Sequence, residues 1–252
     1  MHVLAGGLEA WTQAGLPTTA VDLTASAGAR ITRPRVSEPT TGEAAETRGR
    51  EATHTHAFLP GLVENYANQQ TLPIRRDLSV LFVDIADSTS AVLGQSPEQA
   101  LAFVQRFMSV VTDAALAYCG DVKDYEGDGA LLYFESVSEA TRAALSIRET
   151  LASQEAGDGL TLRARLSLDV GAVVIGVIGT PMRRSVALIG PTINLAARLL
   201  KQIAPGGIIA TAAVVEQLRE EAPELANRFA LFDENLELKG FEREFVIAYA
   251  IT

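Results

Sequence analysis

Two aspartates in this sequence stand where an ordinary fold would avoid them. Asp84 ends the apolar run Leu78 to Ile85 (LSVLFVDI), and Asp128 sits between two glycines in Gly127-Asp128-Gly129, 44 positions later. A lone carboxylate in an apolar strand end is costly to bury unless it is paired or bound to a cation. Taken singly, Asp84 reads as a cap and Gly-Asp-Gly as a hairpin turn. Taken together they read as oxygen ligands, because two carboxylates side by side repel and a pair of Mg²⁺ or Mn²⁺ ions relieves that repulsion. After Asp84, the stretch Ala86-Asp87-Ser88-Thr89-Ser90 offers the hydroxyls of Ser88 and Thr89 and free backbone N–H groups at a helix start, a phosphate-binding arrangement. A third group lies in Gly190-Pro191-Thr192-Ile193-Asn194-Leu195-Ala196-Ala197-Arg198, where Asn194 and Arg198 are four apart and share one helix face. Arg suits phosphate oxygens with its planar fork, and Asn suits a sugar oxygen.

These residues need elements that bring them together. Hydrophobic periodicity predicts strand Leu78 to Ile85, helix Pro97 to Tyr118, strands Asp121 to Glu126 and Ala130 to Glu135, helix Val137 to Ser153 and strand Leu160 to Val170. In the long helix Val104, Met108, Val111 and Ala115 fall on one face. The order is the ferredoxin-like β-α-β-β-α-β unit of an α+β fold. In that topology the third strand runs back between the first two, so the end of the first strand adjoins the hairpin tip, and Asp84 meets Asp128. A C-terminal α/β extension follows: a ribbon (Ala172 to Ile178, Ser185 to Ile189), helix Thr192 to Ile203, strand Gly207 to Ala210, helix Ala212 to Glu220, and strands near Phe229 to Leu238 and Glu244 to Ile251.

The 252 residues carry 21 basic and 31 acidic side chains, a net charge of −10. That balance excludes broad nucleic-acid binding, which needs a cationic footprint. The sequence holds no apolar run of membrane-spanning length, no basic leader followed by an apolar stretch, and a single cysteine, Cys119. The expectation is a cytoplasmic protein without membrane or disulfide. Residues 18 to 57 are rich in Thr, Ala, Pro, Gly, Glu and Arg without apolar periodicity and read as a disordered linker, and an amphipathic helix is expected from Pro60 to about Gln70.

In order along the chain, FVDIADST, KDYEGDGALLYF, GPTINLAARLL and LKGFEREFVIAY resemble the catalytic domain of class III adenylate and guanylate cyclases over residues 58 to 252. The resemblance implies that Asp84 and Asp128, with the Ile85 carbonyl, hold two metal ions, and that Asn194 and Arg198 orient the ribose and stabilise the transition state. It implies that Lys239 contacts the triphosphate and that Asp124 and Ala187 occupy the base-reading positions. It further implies a head-to-tail homodimer, in which the metal aspartates of one subunit face the Asn and Arg of the other. The reaction would be conversion of a nucleoside triphosphate to its 3′,5′-cyclic monophosphate. Asp124 and Ala187 depart from the ATP pattern: ATP is taken as the substrate, with GTP, a pyrimidine nucleotide or a non-catalytic nucleotide-sensing or dimerisation module as the alternatives. Residues 1 to 17, with VLAGGLEAWTQAGLP, resemble the C-terminal end of a rhodanese domain. The sulfurtransferase cysteine loop is absent, so no sulfur chemistry is expected, and the chain reads as a fragment or one begun at a late start codon.

Overall fold

The computed structural model describes residues 72–153, 162–180, 182–241 and 245–252. The expected rhodanese-like stretch, the linker and the helix at Pro60 to Gln70 lie outside the described residues, as do the first residues of the strand expected from Leu160 and the Glu244 start of the last one.

The elements in chain order are β1 (Ile74–Ile85), α1 (Ser88–Val92), α2 (Pro97–Ala117), β2 (Asp121–Glu126), β3 (Gly129–Phe134), α3 (Val137–Ser153), β4 (Ala164–Thr180), β5 (Arg183–Ile189) and α4 (Pro191–Leu199) with a 3₁₀ turn Leu200–Gln202. They continue with β6 (Ile208–Thr211), α5 (Ala212–Glu221), α6 (Pro223–Ala226), β7 (Ala230–Leu236) and β8 (Val246–Ile251). One eight-stranded sheet has the order β2-β3-β1-β4-β6-β8-β7, with β5 paired to β4 alone. Within it, β1, β2, β3 and β4 with α2 and α3 form the expected ferredoxin-like unit. β3 runs antiparallel to both β1 and β2, so β1 and β2 run the same way with β3 between them. The extension joins through β6, parallel to β4.

Helix α2 begins with a capping box: the Gln99 N–H donates to Ser96 Oγ at 3.3 Å and the Ser96 N–H to Gln99 Oε1 at 2.9 Å, with Pro97 in the first turn. Its buried stripe is Phe103, Phe107, Met108, Val111, Ala114 and Ala115. Of the expected stripe Met108, Val111 and Ala115 are buried and Val104 only partly, and the buried face widens to include Phe103, Phe107 and Ala114. By length and composition α2 is apolar enough to cross a membrane, at mean hydropathy 1.3, yet Phe107, Val111 and Ala115 are fully buried in the core, where the helix packs on α3, β2 and β3. Helix α3 contributes Ala140, Ala143, Ala144, Ile147 and Leu151, whose small residues let it lie close to the strands.

Two expectations are corrected. The strand ending at Val170 and the ribbon starting at Ala172 are one 17-residue strand, β4, which passes through Gly171 without a break. Gly171 serves the helix above it: a Cβ there would stand 2.7 Å from Thr192 Oγ1 of α4. The helix expected to reach Ile203 gives way to a 3₁₀ turn after Leu199 and becomes extended at Ile203, since Pro205 lacks the N–H that a further turn would use and disfavours helical backbone at Ala204.

Candidate active site

The register sets the site. Asp84 pairs with Gly129 of β3 on one side and with Arg165 of β4 on the other. The hairpin tip is tied to the end of β1 by the Ile85 N–H, which donates to the Asp128 carbonyl at 3.1 Å. A side chain at Gly129 would crowd this corner, its Cβ falling 3.1 Å from the Val83 carbonyl oxygen and 3.4 Å from Asp84 Oδ1. Asp84 and Asp128 therefore come together, as the topology requires. Burial pushes the Asp84 carboxyl above its ordinary range and the neighbouring Asp128 charge pushes it further, against the pull of Arg165, the Ile85 N–H and Lys201. Ser88 donates its hydroxyl to Asp128 Oδ2, so this hydroxyl is engaged on a carboxylate where the sequence suggested phosphate. Thr89 is exposed on α1. Asp87 enters α1 in the left-handed region at φ 58° and accepts from Arg165 at 3.3 Å.

Among the described residues no group of three or more His, Cys, Asp or Glu side chains is placed to hold a metal ion. Two adjacent carboxylates, Asp84 raised by burial and by its neighbour's charge and Asp128 oriented by Ser88, nevertheless fit a hard cation whose remaining positions belong to water and substrate phosphates. Ile85 itself is buried at the strand end.

Asn194 and Arg198 are both exposed on α4, on the side opposite the buried Thr192, Ala196 and Leu199. Neither is among the groups acting on Asp84 in the same chain. Lys239 is exposed in the turn after β7, beside Gly240 at φ 90°. Asp124 lies on β2 and Ala187 on β5, with β3, β1 and β4 between them in sheet order. At Asp124 the hairpin bulges: Val122 pairs with Leu132 and Asp124 with Leu131, leaving Lys123 as the extra residue. Lys123 is buried and ion-paired with the half-exposed Asp124.

Sequence reasoning missed Arg165 and Lys201, the two cations beside Asp84. The signal for Arg165 was its place in the alternation Arg165, Ser167, Asp169, Gly171 within an apolar strand; Lys201 left none.

The family model for the adenylate and guanylate cyclase catalytic domain matches residues 73–252. Adenylate cyclase 1 of Rhizobium meliloti (strain 1021) is 26% identical over 159 residues, 58% of this chain and 24% of that protein, so the chain spans about a quarter of the length of this curated relative. Among solved structures, the adenylyl cyclase CyaB from P. aeruginosa superposes with a TM-score of 0.63 at 21% identity over 72% of this chain and 96% of that one. The guanylate cyclase domain of RhGC from Catenaria anguillulae, in complex with GTP, superposes at 0.61 with 21% identity over 70% and 96%.

Proposed function

The chain belongs to the adenylate and guanylate cyclase catalytic domain family, and we propose that it converts a nucleoside triphosphate, ATP in the first instance, to the 3′,5′-cyclic monophosphate and pyrophosphate at sites shared by two copies of the chain. The observation that carries this is the meeting of Asp84 and Asp128 at the Asp84–Gly129 pair, with the Asp84 carboxyl raised by burial and then by its neighbour. Asp84, Asp128 and the Ile85 carbonyl would hold Mg²⁺ or Mn²⁺, which when bound acidifies the ribose 3′-hydroxyl and neutralises the triphosphate.

The chain's own residues position and balance charge. Ser88 fixes one Asp128 oxygen. Arg165 and Lys201 bring positive charge to the same sheet end, where a polyphosphate needs it, and Lys239 would add its ammonium to the triphosphate. O3′ attacks the α-phosphorus, the bond to the pyrophosphate oxygen breaks, and the hydroxyl proton leaves to solvent; no side chain in the site has to act as a dedicated base. Asn194 and Arg198 would serve the second chain's site, Asn194 orienting the ribose and Arg198 bonding phosphate oxygens as charge builds on them. Their exposure on α4 in a single chain supports this division, and so do the exposed apolar Val177, Ile178, Met182 and Ile189 on the β4–β5 ribbon, which a second copy in a head-to-tail dimer would cover.

The ion pair with Lys123 offsets the Asp124 charge, so the base-reading position is no longer a bare acceptor. That favours adenine, whose N1 accepts; the exposed oxygen of Asp124 is the observation on the side of a guanylate cyclase. Acting on an intracellular triphosphate, the enzyme would be a cytoplasmic signalling protein. The deciding experiment is product formation from ATP, GTP, CTP and UTP in Mg²⁺ and in Mn²⁺, with cyclic nucleotides resolved chromatographically. A cyclic product from ATP supports the reading, and binding of nucleotide by a dimer without any cyclic product overturns it in favour of a sensor module.

A further inference from the structure

The middle of β4 carries Arg165, Ser167, Asp169 and Gly171 at two-residue spacing, hence on one face of the sheet. Alternation of this kind ordinarily marks a solvent-facing side. Here the stripe forms the seat of α4. Ser167 Oγ donates to the Ala196 carbonyl at 2.8 Å, and the missing Cβ of Gly171 makes room for Thr192. Asp169 lies between these two contact points and is 4% exposed. It accepts the Thr211 hydroxyl at 2.7 Å. Thr211 stands at the N-cap of α5, where a threonine hydroxyl ordinarily satisfies a free helix N–H; that bond is not made here, the side chain being turned to Asp169 instead. A carboxylate held in the interior and a helix deprived of its cap both work against stability, which marks a residue retained for its effect on the site.

We propose that Asp169 is a positioning residue for nucleotide cyclisation: with Thr211 it sets the seat of α4, and so the presentation of Asn194 and Arg198. This rests on the cyclase reading above. Charged neighbours on this face are few. β1 presents Val80 and Phe82 and, at its end, Asp84; β6 presents Ile209 and Thr211; α4 turns Arg198 outward and the next turn carries the exposed Lys201. β4 itself adds Arg165, which pairs with Asp87. Among the described residues no cation pairs with Asp169. Burial pushes its carboxyl up to about 6, with the Thr211 hydroxyl and the Val170 N–H drawing it back, so the group changes charge close to neutrality. Ionised, it draws Thr211 in and fixes the floor under α4. Protonated, it accepts more weakly and α4 shifts on its seat.

The test compares wild type with Asp169→Asn and Thr211→Val, following kcat and KM for the cyclised triphosphate, and the backbone amide resonances of Thr192 to Leu199, between about pH 5 and about pH 8. In wild type, kcat is expected to rise about tenfold across an ionisation near 6 with KM unchanged, the α4 amides moving with the same midpoint. In Asp169→Asn that step vanishes from both, and kcat stays about tenfold low at the alkaline end. Thr211→Val moves the midpoint upward, because it removes a donor to the charged form, and it keeps the test open should the Asn variant fail to fold. The metal-site aspartates remain in all three proteins, so a step that persists in Asp169→Asn belongs to them and overturns the proposal. So do α4 amides that titrate identically in wild type and Asp169→Asn. If wild type makes no cyclic nucleotide, the cyclase reading falls, and the α4 amides alone decide whether Asp169 governs the helix.

Discussion

Asp84 and Asp128 are each commonplace in isolation, and their chemistry comes from adjacency. Under the proposed reading, replacing either by Ala removes a metal ligand and is expected to lower turnover at least about a hundredfold in Mg²⁺ with the fold retained; near-normal kcat in either variant refutes the assignment. Asp169 makes a separate prediction for stability. Its carboxyl titrates at about 6 when folded and at 3.8 when exposed, so between those values the folded chain keeps a proton that the unfolded chain has lost. Stability should fall as pH rises through that window and level off above about 6, the total being about 3 kcal/mol for a shift of roughly two units. Denaturant midpoints across pH check this, and Asp169→Asn should remove the Asp169 share of the decline, leaving the part that the raised Asp84 carboxyl contributes in the same direction. At this scale the sequence was legible where the expected topology brought two individually ordinary residues together, as it does Asp84 and Asp128. Alternation of polar residues along β4 does not show its cause locally: Ser167 and Asp169 are buried, and Ser167 bonds α4.

At the scale of elements, periodicity located β2 and α3 at their observed limits and the ferredoxin-like order in full. It fails at β4, where periodicity stops at Gly171 and the strand does not. The glycine answers to a helix some twenty positions further on, a tertiary cause that no local window contains. Gly171→Ala should therefore cost about 1–3 kcal/mol through overpacking against Thr192, and Thr192→Ala should return most of that loss in the double variant. A double-mutant cycle by thermal or chemical melting measures the coupling, and strict additivity would count against close contact. The bulge at Lys123 was likewise beyond periodicity: the hairpin has the expected strands, but the extra residue changes which side chain stands beside Asp124.

For the whole molecule, the exposed faces matter most. One chain has the carboxylate pair at its sheet end and Asn194 with Arg198 on an outer helix face, directed away from its own core. Mixing inactive Asp84→Ala and Arg198→Ala chains should restore about a quarter to a half of wild-type activity through heterodimers with one intact site. Failure to recover activity, with heterodimers confirmed by mass, would remove the shared-site arrangement. The motifs made the site's members legible; their division between two copies was implied by family resemblance alone, because a single sequence does not say which of its surfaces meet.

The uninterrupted β4 also limits how related chains could change length. Its even-numbered residues from Leu166 to Leu168 feed one layer and its odd-numbered residues from Ser167 to Gly171 feed the other, so a single inserted residue would exchange the two sets along everything downstream. Length changes in this strand should survive only in twos, while the ribbon beyond Val177, exposed and paired to β5 alone, is free to grow or shrink. Lineages of this domain should thus differ in arm length and agree in the parity of the strand that carries it.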